Sequence, residues 1–460
     1  MTFYEIEMES RKLREKIKCA KPQLDIKGTA YYVSLDGDDN NDGLTPDTAW
    51  KTTERVNSHR DSFAAGDAVL FRCGDVFRGD IWLKSDMTYS SFGVGAKPEL
   101  WASPFNAAKK DWEKVAENIY SLPFPLKKDI GIIVFNHGEE WGYKKFELDP
   151  NESLDLDFFH DVEQGVLYLC SEKGNPKERW NDIEIGPRIT IMHGVCPNNC
   201  TVDGLTLKYT GSHGIGLSSL NYTTGGPPRH DNIYNFTVRN CEFEWIGGSD
   251  SGNRIRYGNG FEIWGGCDGL LIENSYFNQI YDAAITQQYQ GSFAQENVLH
   301  IENAVMRNNL IENSIYSYEY FLSEYFPGTR EKKLDTLSTI KNVLFDSNIC
   351  RLCGYGFGNQ RPDRHSPTHI KSWGHHNKSE NFVISNNIFD RADYCLVEIM
   401  AGAGQEYIPT LKGNIYCQYE NKEWIRAIKG QKATVFNRET IKNPTENFAE
   451  ADAVTVKPLR

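Results

Sequence analysis

The chain has 460 residues, of which 39% are hydrophobic and 12% aromatic, a composition typical of a large globular protein and too aromatic for a disordered one. A net charge of −13 argues against a nucleic-acid surface, and no apolar run is long enough for a membrane helix. No secretory signal is visible, so a cytoplasmic location is predicted, or a secreted one if an export signal was removed. The 11 cysteines are an odd, scattered set, which favours reduced core residues over disulfides.

The first hundred residues are predicted to begin the fold. Residues 1–30 supply a helix, over residues 3–18, and a lead-in. Residues 31–99 are assigned to the start of the repeating architecture. Within them a turn-rich stretch at 36–43 precedes a buried strand over 68–72.

The middle of the chain interrupts the repeat that follows it. Residues 100–188 lack that repeat, and apolar runs at 131–135 and 165–169 indicate antiparallel strands joined by hairpin turns. This segment is therefore predicted to be an inserted β-rich subdomain. The main coils are placed at residues 189–430, and a C-terminal tail or cap at 431–460.

The main coils are marked by short β-rich runs that each end at an asparagine. The intervals are about 34 to 39 residues, and about 27 for the last, between Asn240, Asn274, Asn309, Asn348, Asn387 and Asn414. Runs of about five β-branched and aromatic residues are typical of strands, and Asn tolerates the left-handed bend between two strands. Its amide can also bond to the coils above and below. The sequence therefore predicts an all-β, right-handed parallel β-helix.

Two further features belong to this repeat. An earlier copy has Asp203 in the asparagine place. A tyrosine follows four of the asparagines by seven residues, which predicts a stack of rings in one corner of the cylinder, formed by Tyr281, Tyr316, Tyr355 and Tyr394.

Several short segments resemble a known group of proteins. They are YVS at residues 32–34, DGDDNNDG at 36–43, AWKT at 49–52 and GD at 66–67. These segments resemble the beginning of carbohydrate-active β-helix proteins of the pectate-lyase-like superfamily. The runs at 112–120, 157–161 and 167–169 resemble the small β-domain of β-helix glycoside hydrolases of the fucosidase and xylanase type. The resemblance implies a right-handed β-helix with an inserted domain and action on carbohydrate.

Carboxylates recur in successive coils of the predicted helix. Cleavage of a glycosidic bond needs two carboxyl groups, and coils about 4.8 Å apart can place two side chains at a suitable distance. In the run Phe261 to Trp264, alternation puts Glu262 and Trp264 on the face opposite the apolar residues. The catalytic candidates are Asp282, Glu262, Glu319, Asp363 and Glu398.

Side chains beside these carboxylates are candidates for substrate binding. An indole is a natural platform for a sugar ring, and amides, guanidinium and imidazole groups match sugar hydroxyls. The residues are Trp264, Gln287, Gln288, Arg361 and His365. No motif has the ligand spacing of a metal site, so no metal is predicted.

Three functions follow from this site. The preferred one is a glycoside hydrolase that cleaves a neutral, plant-type oligosaccharide with two carboxylates and no cofactor. The second is a polysaccharide lyase or epimerase acting on a uronic acid, with Arg361 or Lys371 as base and calcium as charge neutraliser. The third is a non-catalytic carbohydrate-binding solenoid. The expected partner is the oligosaccharide, a homo-oligomer is compatible with the sequence, and the sugar, linkage and stereochemistry are left open.

Overall fold

The computed structural model describes residues 1–221, 229–291, 298–326, 329, 331, 337–361, 366–373, 378–401, 408–429, 432–442, 450 and 452–458. Its strands stack into a right-handed parallel β-helix, which confirms the predicted fold class. The coils carry three parallel sheets, which we number in the order that the chain visits them. A helix precedes the cylinder, and an antiparallel β insertion interrupts it.

The three sheets run the length of the cylinder. Sheet 1 is formed by Ala30–Val33, Ala68–Arg72, Thr88–Phe92, Thr201–Asp203, Ile233–Arg239, Cys267–Glu273, Ile301–Arg307, Thr339–Asp346, Lys378–Ser385 and Thr410–Lys412. Sheet 2 contains Val76–Arg78, Glu99–Trp101, Thr206–Thr210, Glu242–Ile246, Ile349–Cys353, Ile388–Ala392, Ile415–Cys417 and Val454–Val456. Sheet 3 contains Ile81–Trp82, Met192–Val195, Ile215–Ser218, Phe261–Trp264, Thr368–Ser372, Cys395–Ala401, Glu423–Lys429 and the antiparallel Lys432–Phe436. Two long strands bend through sheets 2 and 3, Tyr276–Gly291 and Leu310–Glu324.

The turn from sheet 1 to sheet 2 explains the asparagine repeat. Its first residue has a positive φ and is Asn240 (54°), Asn274 (48°), Asn308 (54°), Ser347 (55°), Asn386 (55°) or Gly413 (65°). Its second residue is the buried Asn309, Asn348, Asn387 or Asn414. The Asn348 Oδ1 accepts the backbone N–H of Asn309 at 3.0 Å, and its Nδ2 donates to the Met306 carbonyl at 3.0 Å. The predicted ladder exists for these four, whereas Asn240 and Asn274 occupy the left-handed position one residue earlier.

A second asparagine ladder lies within sheet 1 and was not predicted. Asn199, Asn235, Asn303, Asn342 and Asn381 also have positive φ, between 51° and 54°. The Nδ2 of Asn381 donates to Asn342 at 3.0 Å, and that of Asn342 donates to Asn303 at 3.0 Å. These side chains are exposed, so their hydrogen bonds run along the outside of the cylinder.

The N-terminal helix, Phe3–Cys19, begins with a capping box between Thr2 and Glu5. It lies against the outer face of sheet 2, where Ile6 and Ile17 form one apolar cluster with Tyr276, Leu310, Ile349, Ile388, Cys417 and Val456. Ion pairs flank this contact, Arg14 with Glu242 at 2.7 Å and Glu7 with Arg351. The helix was predicted; its position on the cylinder was not.

The insertion has sheets of its own. A five-stranded sheet contains Glu113–Ala116, Ile119–Pro123, Tyr143–Lys144, Asp157–Asp161 and Val166–Cys170, and a three-stranded sheet contains Ile130–Phe135, Glu140–Trp141 and Ile183–Pro187. Their apolar faces form a separate core that includes Trp112, Phe135 and Trp180. Two short hairpins project from the coils, Leu220–Asn221 with Arg229–His230 and Ser249–Asp250 with Arg256–Tyr257.

Short helices complete the described chain. Two are α-helical, Thr53–His59 and Pro176–Arg179. Five are 3₁₀ turns, Pro46–Thr48, Arg60–Ser62, Ala107–Lys109, Asn136–Gly138 and Phe357–Gln360. All of the helices described are too short or too polar to cross a bilayer. All 11 cysteines lie in the described residues, and none forms a disulfide.

The predicted stack of tyrosines is wrong. Tyr316 aligns with Thr368 on the next coil and not with Tyr355, whose side chain is exposed. Tyr281 lies in an irregular stretch of its strand, where the register shifts between Ile280 and Ala283. A fixed interval after the asparagine does not give a fixed place on the coil, because the coils turn from sheet 2 to sheet 3 differently. Leu310–Glu324 continues through both sheets as one strand, whereas Ile349–Cys353 ends before Tyr355 and sheet 3 resumes at Thr368.

Candidate active site

The outer face of sheet 3 carries a row of charged and polar side chains. The strands align in register, so that the residues opposite one another on successive coils are Glu262, Thr286, Glu319, Lys371, Glu398 and Arg426. The neighbours of Glu262 in its strand, Phe261 and Ile263, point into the core, as the alternation predicted. Three of the five carboxylates proposed from the sequence therefore share one row.

Glu262 is held by two nitrogen donors. Its Oε2 lies 2.7 Å from the His213 Nε2, and its Oε1 accepts from the Gln288 Nε2 at 3.0 Å. The His213 Nδ1 accepts the backbone N–H of Asn259 at 3.1 Å. Because Nδ1 is an acceptor, a neutral His213 carries its hydrogen on Nε2 and donates it to Glu262.

His213 was not among the site residues predicted from the sequence. It lies one coil before Asn259, and the run HGIGLS at 213–218 has the same pattern as NGFEIW at 259–264. Aligning these two runs would have placed the imidazole beside the carboxylate. Tyr257 packs on the same imidazole, with ring centroids 5.2 Å apart.

Glu319 has a different pair of neighbours. Its Oε2 accepts from the Thr286 Oγ1 at 3.1 Å, and its Oε1 accepts from the Trp373 Nε1 at 2.5 Å. The Trp373 ring packs edge-on against Tyr316 at 6.3 Å, beside Ala283. Thr286 and Trp373 were not predicted, because both reach Glu319 from other coils.

The spacing of these two carboxylates follows from the sheet. Glu262 and Glu319 lie on strands separated by the strand that carries Thr286. Two strand spacings place their backbones about 9 to 10 Å apart. Inverting glycosidases hold their carboxyl groups about 6.5 to 9.5 Å apart to admit a water, and retaining enzymes hold them about 5 to 5.5 Å apart. A small lean of the two side chains toward each other brings the distance between their carboxyl groups into the range of inverting enzymes.

Glu398 forms a buried ion pair further along the row. The Lys371 Nζ lies 2.7 Å from its Oε2, and both side chains are buried. The same ammonium lies 3.9 Å from the centroid of the Trp373 ring. Loss of either partner would leave an unpaired buried charge, so both residues are needed for the stability of the part of the row next to Glu319.

Asp282 lies at a corner of the coil and outside this row. Its Oδ1 is 2.5 Å from the Arg361 Nη1, and its backbone N–H donates to the Gly258 carbonyl at 3.1 Å. The guanidinium groups of Arg361 and Arg256 lie 5.6 and 4.5 Å from the centroid of the Tyr281 ring. The register shift beside Asp282 turns it toward Arg361 and away from the row.

The predicted substrate-binding residues divide between two faces. Trp264 and Gln288 are outside, since Gln288 reaches Glu262 and Trp264 is half-buried against Tyr289, 5.6 Å away. Gln287 was predicted to bind substrate, but its side chain points into the core, where its Oε1 accepts a hydrogen bond from the Tyr318 hydroxyl at 2.9 Å. Consecutive residues of a strand point to opposite faces, so only one of the two amides reaches the outside. Asp363 and His365 lie outside the described residues.

The two bases named for the lyase hypothesis lie in ion pairs, Arg361 with Asp282 and Lys371 with Glu398. Across the parts of the chain that the structure describes, no group of three His, Cys, Asp or Glu side chains is arranged to hold a metal ion.

The protein is a parallel β-helix, and the outer face of its sheet 3 carries a row of polar side chains. Among solved structures, a complex of XylC with xylose is similar, with a TM-score of 0.51 and 11% identity over 94% of this chain and 82% of that one. A GH136 lacto-N-biosidase from Eubacterium ramulus (TM-score 0.41, 12% identity, 98% of this chain and 69% of that one) also aligns. A family 28 exopolygalacturonase from Yersinia enterocolitica aligns with a TM-score of 0.35 and 13% identity, over 94% and 79% of the two chains.

At 11% identity, the likeness to the xylose complex shows the fold alone, and it confirms the expected right-handed parallel β-helix. No protein-family model and no curated protein matches the sequence.

Proposed function

We propose that this protein is a glycoside hydrolase in which Glu262 and Glu319 are the catalytic pair. The observation that carries the proposal is that these two buried carboxylates share one outer row, with one strand between them, and have different hydrogen-bonding partners. Burying a carboxylate is costly unless it is well paired, so two of them on one face favour a site over a surface. The fold likeness to a xylose complex supports carbohydrate as the substrate class.

The partners suggest which carboxyl group does what. Among the described residues, the donors to Glu262 are both nitrogens, those of His213 and Gln288, which suits a carboxylate acting as general base. Glu319 has the Thr286 hydroxyl as a neighbour, and a hydroxyl can also accept a hydrogen bond, so Glu319 can hold a proton. Glu319 is therefore proposed as the general acid.

The reaction then proceeds by single displacement. Glu319 gives its proton to the glycosidic oxygen as the bond to the anomeric carbon breaks, and the alcohol leaves. Glu262 takes a proton from a water whose oxygen forms the new bond to the same carbon. The product has the opposite anomeric configuration to the substrate.

The substrate is proposed to be the end of a short, neutral oligosaccharide. The side chains of Glu262 and Glu319 are nearly enclosed, which favours a narrow pocket over an open groove. The proposed reacting centre contains carboxylates, and the nearby cations Lys371 and Arg361 are paired with Glu398 and Asp282. A uronic acid would need a cation to neutralise its carboxylate.

The test is a screen of nitrophenyl glycosides and plant oligosaccharides, with the first-formed anomer identified by proton NMR. We expect hydrolysis with inversion. Glu262→Gln and Glu319→Gln should each lower kcat by about 10²- to 10⁴-fold with little change in melting temperature. Glu380→Gln is the matched control, because Glu380 is exposed on sheet 1, where it pairs with Lys341 at 3.2 Å.

Other outcomes would redirect the assignment. An unsaturated product that absorbs in the ultraviolet would support the lyase. Retention of configuration would exclude the single displacement and the pairing of Glu262 with Glu319. Binding without turnover of any glycan would favour the non-catalytic solenoid.

A further inference from the structure

The outer row of sheet 3 continues past Glu262 to the first strand of that sheet. The residues opposite one another on these coils are Glu262, Gly216, His193 and Trp82. The strand neighbours Ile81 and Met192 lie in the core, so Trp82 and His193 point outward. Three strand spacings separate Trp82 from Glu262, which is about 14 to 15 Å.

The row becomes more exposed from Glu262 toward Trp82. Glu262 is buried, the side chain of His213 beside it is 14% exposed, and that of His193 is 29% exposed. Trp82 is 55% exposed. In the other direction, the two members that follow Glu319 form a buried ion pair. The row therefore opens toward the first strand of sheet 3.

Trp82 is held in a fixed position although its ring is exposed. Its backbone N–H donates to the Asn57 Oδ1 at 2.8 Å, and the Asn57 Nδ2 donates to the Asp80 carbonyl at 2.9 Å. The ring packs edge-on against His193, with centroids 4.7 Å apart and an angle of 66°. An indole that is braced in this way and still exposed is a platform for the C–H face of a sugar.

His193 and Asp80 supply polar groups beside the indole. The His193 Nε2 lies 2.8 Å from the Asp80 Oδ2. Burial alone would raise the pKa of Asp80, but the hydrogen bond and charge of His193 and the charge of Lys128 lower that pKa below its usual 3.8. Asp80 is therefore ionised near pH 7 and orients the imidazole. No other group of the described residues bonds the His193 Nδ1, and this atom is not enclosed, so it can bond a sugar hydroxyl.

The charges around Trp82 are of both signs. On the elements that pack around it, and reaching Asp80 from the insertion, they are Glu54, Arg55, Arg60, Asp61, Asp80, Lys84 and Lys128. Arg60 pairs with Asp61 at 2.9 Å, and the Lys84 Nζ donates to the Asp61 carbonyl at 3.1 Å. The charge of Lys128 acts on Asp80. Because cations and carboxylates alternate here, the surface suits a neutral glycan better than a uronic acid.

Gly216 connects the indole to the catalytic pair. A Cβ at this position would lie 3.3 Å from the His213 Cδ2 and 3.0 Å from the Thr190 Cγ2. The missing side chain therefore lets the His213 imidazole lie over Gly216 and reach Glu262. The floor of the row between Trp82 and Glu262 then consists of an indole and two imidazoles, which are flat groups that match the faces and hydroxyls of sugars.

From this arrangement we infer that Trp82 and His193 form a subsite for a neutral sugar unit remote from the reacting bond. Trp82 contacts the apolar face of that unit, and His193 bonds one of its hydroxyls. The inference rests on the proposed function, since it places the reacting end of the glycan at Glu262 and Glu319. It adds the length of the substrate, because a disaccharide is too short to span three strand spacings.

The experiment compares short and long glycans in a chain that cannot hydrolyse them. The probes are β-1,4-linked xylose, glucose, galactose and mannose oligomers, each as disaccharide and pentasaccharide, with pentagalacturonate as the anionic comparison. Calorimetric titrations use the full chain carrying both Glu262→Gln and Glu319→Gln. We expect at least one neutral pentasaccharide to bind about tenfold or more tightly than its disaccharide.

Substitutions at the subsite should act on the long glycan alone. In the same background, Trp82→Ala should weaken binding of the pentasaccharide about tenfold and leave the disaccharide unchanged, whereas Trp82→Phe should keep most of the affinity. His193→Ala should cost about threefold with the same dependence on length. Tyr234→Ala is the matched control, because Tyr234 is an exposed aromatic residue on sheet 1, and it should change neither affinity.

The outcomes separate this subsite from the proposed hydrolase. The subsite is excluded if no neutral pentasaccharide binds more tightly than its disaccharide, if pentagalacturonate binds most tightly, or if Trp82→Ala and Tyr234→Ala bind alike. Hydrolysis by the parent without any dependence on chain length or on Trp82 would reject the subsite and retain the hydrolase. Pentasaccharide binding that depends on Trp82, in a protein that hydrolyses no glycan, would reject the hydrolase and retain the indole as a glycan platform.

Discussion

Two outer faces of the cylinder are buried, and they are buried in opposite ways. On sheet 2 the row Tyr276, Leu310, Ile349 and Ile388 is apolar and lies under the N-terminal helix. On sheet 3 the row from Glu262 to Glu398 is charged, and each member is held by hydrogen bonds or ion pairs. The two faces therefore differ in the chemistry at their centre, and the proposed function rests on the polar one. Apolar burial stabilises the coil, whereas polar burial costs free energy unless the buried groups are paired.

The largest loss of stability is expected when a buried charge on sheet 3 loses its ion-pair partner. Lys371→Met leaves Glu398 buried beside an apolar side chain and should lower the free energy of unfolding by about 3 to 5 kcal/mol. Denaturant unfolding measures this loss, and Lys371→Met combined with Glu398→Leu should recover most of it. A loss below about 1 kcal/mol would show that Arg426, next in the row, takes the place of Lys371.

A truncation under the N-terminal helix tests the opposite face. Leu310→Ala should cost about 2 to 5 kcal/mol of stability, because it opens a cavity between the helix and sheet 2. Turnover per folded molecule should stay as in the parent, since the row on sheet 3 is untouched. A large fall in kcat together with normal melting would contradict the separation of the two faces.

Removing one hydroxyl from sheet 3 should affect activity alone. Thr286→Val keeps the volume but leaves Glu319 without the neighbour proposed to share its proton, and kcat should fall about tenfold. Thr286→Ser retains the hydroxyl and should retain most of the activity. Equal activity of the valine and serine variants would remove Thr286 from the mechanism.

The smallest effect is a pH dependence at the end of the asparagine ladder. Glu450 accepts from the Asn414 backbone at 2.6 Å, and burial raises the pKa of its carboxyl above the usual 4.5. A raised pKa in the folded state means that protonation stabilises the fold, and this stability is lost as pH rises through the folded pKa. Glu450→Gln should therefore gain melting temperature relative to the parent between pH 4.5 and 8. A difference that is flat, or that grows on acidification, would contradict this sign.

The coil could be predicted from the sequence because it is local and periodic. The asparagine runs mark one turn of every coil, and Phe261 and Ile263 alternate with Glu262 as a half-buried strand requires. The N-terminal helix was predicted from its composition, but its docking depends on a row assembled from six separate strands. No single stretch of sequence contains that surface.

The candidate site could be predicted only in part, for two physical reasons. The similar places of Glu262, Glu319 and Glu398 in their own runs predicted that they would lie near one another, yet their partners His213, Trp373 and Lys371 come from other coils. The register shift beside Asp282 is invisible in the pattern, and it moves that carboxylate to a corner. Predicting partners requires the alignment of coils, which loops of unequal length obscure.

The position of the N-terminal helix has a consequence for the order in which parts of the chain fold. Ile6 and Ile17 share a cluster with Val456, so a helix that precedes every coil in the sequence docks on a surface that includes the strand Val454–Val456. Until that strand has been synthesised, the apolar side of the helix can contact only part of the apolar row on sheet 2. Contacts so distant in sequence form slowly. We therefore expect the helix to dock on sheet 2 after the coils have folded.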